Sequence, residues 1–315
     1  MVQTLYYLLK TGRPRQWIKN FAVFAALIFS GFFFYDFPLY IWRVTLTFGI
    51  FCLLSSSVYI INDIVDRESD RQHPFKKKRP IASGKLPVSI AKGAAALGIA
   101  TTVLLSFLLS PFLALLAMAY FVLQFSYSFY LKHIAILDVL TIAAGFMIRI
   151  YAGAVVVNLH MSVWFLLTVI SASLFIAVAK RQSERTLLTG QQGEMKTFST
   201  RKSLEKYSTR LLDIYTGMFA NATWLTYALF AFQHQIEIDR AAFPSLLAVL
   251  PRAFTAEKWL MLTVPLVIYI VMRYLQLVYE DNQGESPERV ILRDKPLLGA
   301  AVIYGIVVMI VIYLL

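Results

Sequence analysis

Residues 62–85 read Asn62-Asp63-Ile64-Val65-Asp66-Arg67-Glu68-Ser69-Asp70, continuing RQHPFKKKRPIASG to Lys85. Three aspartates stand at i, i+3 and i+7. On a helix that spacing puts Asp63, Asp66 and Asp70 on one face, with Asn62 beside Asp66. Carboxylates crowded at one point repel one another unless a cation joins them. Hard oxygen donors suit Mg²⁺, which binds through one or two carboxylates together with substrate phosphates. Lys76, Lys77, Lys78 and Arg79 follow at once and bring positive charge to the same place. Carboxylates for a metal and cations for phosphate are what a diphosphate-handling enzyme needs.

This polar stretch lies between long apolar segments, and the whole chain is built that way. Of 315 residues 58% are hydrophobic and 15% are charged, with a mean hydropathy of +0.65. Soluble domains carry about 25% charged residues, so this is the composition of a membrane protein. Nine apolar spans are expected, near 17–36, 40–61, 90–109, 111–130, 136–157, 162–180, 210–232, 259–280 and 296–315. Each approaches the ~20 residues that cross a bilayer as a helix. Residues 1–16 form an amphipathic lead expected at the interface. Ser110-Pro111 is too short a connection for anything but an antiparallel hairpin. The expected fold is an all-α membrane bundle, 1–315 as a single domain.

The net charge of +12 does not point to nucleic acid. Its Lys and Arg fall in short loops after every second span, where they set topology. That pattern puts the N-terminus and the 62–89 and 181–209 loops in the cytoplasm, in a multi-pass cytoplasmic membrane protein. The single cysteine, Cys52, excludes an intramolecular disulfide. Asn221-Ala222-Thr223 matches a glycosylation sequon inside an expected span and is set aside.

Further constellations carry candidate chemistry, while Arg273-Tyr274, Ser286-Pro287-Glu288 and Asp294-Lys295-Pro296 near the last span read as structural. Lys19 and Asn20 open the first span behind the interfacial Trp17. Tyr127 and Lys132 close the fourth span. Asp138, Gly145 and Arg149 fall near one face of the fifth, and an arginine inside a span marks a site or a buried pair. Lys180, Arg181 and Glu184 close the sixth, ahead of a polar loop with Arg201, Lys202, Glu205, Lys206 and Tyr207. A plainer reading of each is interfacial anchoring or a structural ion pair.

The run NDIVDRESD fits the NDxxDxxxD motif of the UbiA superfamily of intramembrane prenyltransferases, and the chain resembles that family. Within it the chain is similar to the branch that transfers phosphoribosyl to polyprenyl (decaprenyl) phosphate. The matching stretches are RPRQWIKN at 13–20, 70–84, YSFYLKHIAILDV at 127–139, GFMIRIYAG at 145–153, AKRQSE at 179–184 and DKPLL at 294–298. The resemblance implies a nine-helix bundle with a cytoplasmic mouth. It implies Mg²⁺ on Asp63, Asp66 and Asp70. Bound substrates would be phosphoribosyl diphosphate and a polyprenyl phosphate, held by Lys19, Asn20, Asn62, Lys76, Lys77, Arg79, Tyr127, Lys132, Asp138, Arg149, Lys180, Arg181 and Glu184. A homo-oligomer is compatible with it.

One departure matters. Aromatic prenyltransferases of this family carry a second aspartate motif after the sixth span. Here that place reads Lys180-Arg181-Gln182-Ser183-Glu184. Basic residues hold phosphate directly, which favours a donor with more phosphates over an allylic diphosphate. The alternatives are prenyl transfer to an aromatic acceptor and a non-enzymatic lipid carrier. A carrier would place its polar site near the midplane on broken helices, whereas here the charge gathers at one face.

Overall fold

The computed structural model describes residues 2–34, 37–72, 76–190, 206–234, 258–280 and 287–313. Among them every regular element is helical. Seven helices are long and apolar enough to cross a membrane, and the chain is a multi-pass membrane protein. The expected loop residues Arg201, Lys202 and Glu205 lie outside the described residues. The chain divides into two compact units, Met1–His160 with Gln191–Tyr207, and Met161–Gly190 with Ser208–Leu315.

The first unit begins with α1 (Val2–Gly12), the expected amphipathic lead. Arg13 then adopts a left-handed φ of 53°, and Pro14 starts a 3₁₀ segment, Pro14–Phe24, that passes into the short α2 (Ala25–Phe29). A single span at 17–36 was expected, and the chain departs from that. A 3₁₀ run of this length is unusual and marks local constraint. The segment packs closely on a later helix: the Val23 carbonyl lies against Gly153, where an added Cβ would be 1.8 Å from the oxygen.

The long α3 (Phe37–Val65) brings the chain to the aspartates. After α4 (Arg67–Gln72) and the basic loop come α5 (Val88–Leu109), α6 (Pro111–Phe129) and α7 (Leu137–Val156). Ser110 is extended between α5 and α6, and Pro111 opens the second of them, as the hairpin expectation requires. Val23, Leu27, Val44, Phe51, Leu54, Leu113, Ala117 and Ala152 form the main core of this unit. A second cluster of Ile60, Ile81, Leu86, Ala91 and Ala95 lies at the polar end of α3.

The second unit contains α8 (Val163–Gly190), α9 (Thr209–Gln233), α10 (Val264–Tyr279), α11 (Pro287–Arg293) and α12 (Lys295–Tyr313). Its core joins Phe175, Ala179, Ala220, Val271, Tyr274, Leu277 and Leu297. The helix α9 corresponds to the expected span at 210–232 and is long enough to cross. It is not among the seven because Thr216, Asn221, Thr223 and Thr226 dilute its apolar character. Nine spans were expected; the broken first segment and this polar helix account for the two that the seven do not include.

Asp294 ties two helices of this unit together. Its Oδ1 accepts from the Leu297 backbone N–H (2.8 Å) and from Arg273 Nε (3.2 Å), and its Oδ2 from Arg273 Nη2 (2.7 Å). The Arg273 guanidinium holds the Asp294 carboxyl below its ordinary range. A depressed carboxyl stabilises the fold above the unfolded pKa of about 4, and that contribution is lost as pH falls through the native value. Asp294→Asn should therefore lower the melting temperature at pH 7, and the gap from wild type should shrink at pH 3. Thermal unfolding at both pH values measures it.

Candidate active site

The helix α3 ends at Val65 and α4 starts at Arg67, so the aspartate motif straddles a helix break. Helical bonds still carry the turn through: Asp66 N donates to Asn62 O (2.9 Å) and Asp70 N to Asp66 O (2.8 Å). The expected convergence of aspartates holds for two of them. Arg79 Nη1 donates to Asp63 Oδ1 (3.1 Å) and to Asp70 Oδ2 (2.6 Å), so both carboxylates address one point. Both are buried. Asp66 is more exposed and instead pairs with Lys132 Nζ at 3.3 Å.

Local packing explains why Arg79 rests there. Ile81 and Leu86 plug into the apolar cluster beneath the motif. The loop between them closes on itself through Ser83 N to Arg79 O (2.9 Å) and Leu86 N to Pro80 O (3.0 Å). Gly84 has a φ of +75°, which favours glycine. Arg71 Nε ties α4 to Ala82 O at 3.2 Å. Lys76 and Lys77 sit in one exposed 3₁₀ turn at the start of this loop.

A residue that the sequence reading quoted within RPRQWIKN but gave no site role completes the cluster. Arg13 Nη2 donates to Asp63 Oδ1 at 2.5 Å, and its guanidinium lies over the Tyr59 ring, 4.9 Å from the centroid. Its left-handed backbone turns it from α1 toward α3. The available signal was its place in RPRQWIKN, directly before Pro14 at a segment start.

The buried arginine of α7 is accounted for differently from the expectation. Arg149 Nε donates to Asn20 Oδ1 (2.8 Å), Nη1 to Gly145 O (2.9 Å) and Nη2 to the Tyr120 hydroxyl (2.6 Å). Asn20 in turn donates from Nδ2 to Ser55 Oγ (3.2 Å) and Cys52 Sγ (3.3 Å). Trp17 Nε1 donates to Ser56 Oγ at 2.9 Å. The 3₁₀ segment is thus bolted to α3 and α7 by polar groups, and through Arg149 to Tyr120 of α6. Asp138 shares a helix with Arg149 but turns to another partner, accepting from the Tyr207 hydroxyl at 2.8 Å. That hydroxyl also accepts from Ile136 N (2.6 Å). Tyr207 was read only as a loop residue, since nothing local marks a partner 69 positions away. Lys19 and Tyr127 are partly buried, in the 3₁₀ segment and in α6.

Lys180, Arg181 and Glu184 belong to α8 in the second unit. Arg181 is buried and bonds Glu184 Oε2 through Nη1 at 2.6 Å, while Lys180 Nζ is 3.9 Å from Glu184 Oε1. Beside them Gln182 Nε2 donates to Asp213 Oδ1 (2.7 Å).

Among the described residues no three His, Cys, Asp or Glu side chains are grouped closely enough to hold a metal. Two observations nonetheless fit a hard cation. A single positive nitrogen already touches Asp63 and Asp70, and the buried Oδ1 of Asn62, the residue before Asp63, has no hydrogen-bond partner. The donor set is all oxygen, the set that suits Mg²⁺.

Comparison with known proteins finds matches over most of the chain. Residues 20–293 match the model of the UbiA prenyltransferase family. The chain is 36% identical over 293 residues to a decaprenyl-phosphate phosphoribosyltransferase of Mycolicibacterium smegmatis, covering 92% of this chain and 87% of that protein. It is 33% identical to the protein of that name from Mycobacterium tuberculosis, covering 94% of each. In fold it is similar to a UbiA homolog from Archaeoglobus fulgidus bound to GPP and Mg²⁺, with a TM-score of 0.68 and 16% identity, over 96% of this chain and 99% of that one.

Proposed function

The chain belongs to the UbiA prenyltransferase family, and from that premise we propose that it transfers 5-phosphoribosyl from phosphoribosyl diphosphate to a polyprenyl phosphate, releasing diphosphate. The observation that carries the reading is the similarity to phosphoribosyltransferases of that name over more than nine-tenths of the chain. The basic Lys180-Arg181 in α8, where a second aspartate motif would stand, supports it, as does the density of cations around the first. The family match spans both units, so residues 1–315 are read as one catalytic domain.

In this reading Asp63, Asp66 and Asp70 hold Mg²⁺. The ion, when bound, neutralises charge on the departing diphosphate. Arg79, Lys76 and Lys77 bind donor phosphates from the loop above the aspartates, and Lys132 and Lys19 serve the acceptor phosphate. The bond from ribose C1 to the diphosphate oxygen breaks, and a lipid phosphate oxygen bonds to C1. That oxygen is already ionised at neutral pH, so no side chain need act as general base. Catalysis is then positioning and electrostatic stabilisation of the leaving group. Asn20 and Arg149 are assigned to positioning, because their polar atoms are spent on holding the 3₁₀ segment. Asp138 is assigned likewise, through Tyr207. Lys180, Arg181 and Glu184 are proposed as phosphate-site residues on the sequence pattern alone. The distribution of Lys and Arg supports a cytoplasmic membrane protein with the aspartate motif facing the cytoplasm.

A choice assay tests the assignment. Purified protein receives Mg²⁺ with labelled phosphoribosyl diphosphate and polyprenyl phosphate, or with a prenyl diphosphate and an aromatic acid. The expected result is organic-soluble label in the first mixture alone. Product in the second alone would replace phosphoribosyl transfer with prenyl transfer.

A further inference from the structure

Asp63 and Asp70 are each only 3% exposed along their side chains, whereas Arg13 and Arg79 are 33% and 27% exposed. The carboxylates are fixed in the structure, and their counter-ions sit at its edge. Asp63 Oδ1 accepts from both Arg13 Nη2 and Arg79 Nη1. A carboxylate oxygen offers about two lone-pair directions, so this oxygen is saturated by guanidinium. A metal cannot bond to it until one arginine leaves. Arg79 also spans Asp63 and Asp70, the two carboxylates that address one point. Two buried negative charges and two arginines make a neutral cluster. A divalent cation added to it would face both guanidiniums at close range and be repelled.

We propose that Arg13 and Arg79 are exchangeable counter-ions, which neutralise the aspartates before substrate arrives and move onto the donor's phosphates when a divalent cation takes the carboxylates. This makes Arg13 a donor-binding residue. It rests on the phosphoribosyl-donor reading for the identity of the phosphates, but the competition with metal does not depend on which donor is used. The exchange conserves local charge. The incoming metal replaces guanidinium on the carboxylates, and the displaced guanidinium meets the phosphate oxygens that arrive with the metal. Bidentate guanidinium–phosphate geometry suits that second position. Metal and donor binding become cooperative, because each removes the cost that the arginines impose on the other.

Calorimetric titration of the full-length purified protein with Mg²⁺ alone, without donor, separates this idea from a purely structural role. Removing a structural ion pair would weaken or leave unchanged the affinity for metal. Removing a competitor raises it. Arg79→Gln and Arg13→Gln are each expected to bind Mg²⁺ roughly tenfold more tightly than wild type, the partly exposed end of what unpairing such a charge is worth. In saturating Mg²⁺ both should bind phosphoribosyl diphosphate more weakly. Lys92→Gln, which removes one exposed positive charge on α5, controls for net charge and should leave Mg²⁺ affinity unchanged. If Arg79→Gln does not fold, Arg13→Gln decides alone, since its guanidinium is the more exposed of the two. Unchanged or weaker Mg²⁺ binding in the folded variants would overturn the exchange. Tighter Mg²⁺ binding without any binding of phosphoribosyl diphosphate by wild type would leave the exchange standing and remove the donor assignment.

Discussion

Asp63→Asn is expected to lower the rate of phosphoribosyl transfer by roughly 10²–10³-fold, the scale on which one electrostatic contact to a developing charge is worth. Asparagine keeps the shape of the side chain and removes its charge. The oxygen shared by Arg13 and Arg79 can still accept a hydrogen bond, but it loses the charge that holds both guanidiniums. At the same time the metal site loses one of its two buried carboxylates. Both effects fall on turnover, and the apolar packing around Ile60 and Ile81 is untouched. Circular dichroism and melting behaviour should therefore stay close to wild type while initial rates collapse. Asp66→Asn should be milder, since Asp66 is 37% exposed along its side chain and has Lys132 as its partner. Initial rates of label transfer into the organic phase measure both, and an Asp63→Asn protein with wild-type turnover would remove Asp63 from the mechanism.

Gly153→Ala should be the most damaging conservative change in the first unit. The added Cβ would lie 1.8 Å from the Val23 carbonyl oxygen and 2.8 Å from its carbon. These are backbone atoms, so no rotamer change relieves the overlap. The 3₁₀ segment must move away from α7, at a cost of about 1–3 kcal/mol or more for overpacking. That segment carries Asn20 and follows directly on Arg13, so displacement strikes the site as well as the fold. Misplacement of about 1 Å is enough to cost some 10²-fold in rate. Gly93→Ala on α5 is the control, because an added Cβ there meets nothing within 4 Å. It should be neutral or slightly stabilising, as alanine is favoured over glycine in a helix. Melting temperature and rate should fall together for Gly153→Ala and for neither in Gly93→Ala.

Much of this site was legible in the order of residues. The aspartates announce themselves by helical spacing, and the lysines and Arg79 by adjacency. The apolar runs give most of the spans to within a few residues. What could not be read is pairing over distance. Arg13 and Asp63 are 50 positions apart, and Asn20 and Arg149 are 129 apart. Periodicity describes one helix at a time and is silent on which helix faces which. For the same reason Asp138 and Arg149 looked like partners on one face of α7. In the fold each reaches a neighbour that the spacing cannot name. The broken first span was hidden too: the segment's own residues read as an ordinary apolar helix, and its close contact with Gly153 lies across the unit. The failed expectations therefore lie at contacts between elements, and the successful ones within elements.

The central claim is that ribose C1 leaves diphosphate and joins a lipid phosphate. A donor carrying one label in the ribose and another in the diphosphate tests it most directly, with polyprenyl phosphate and Mg²⁺ and the purified full-length protein. The account predicts that the ribose label moves into the organic phase while an equal amount of the diphosphate label is released into water. Both labels entering the lipid together, or the lipid taking up diphosphate label alone, would contradict it.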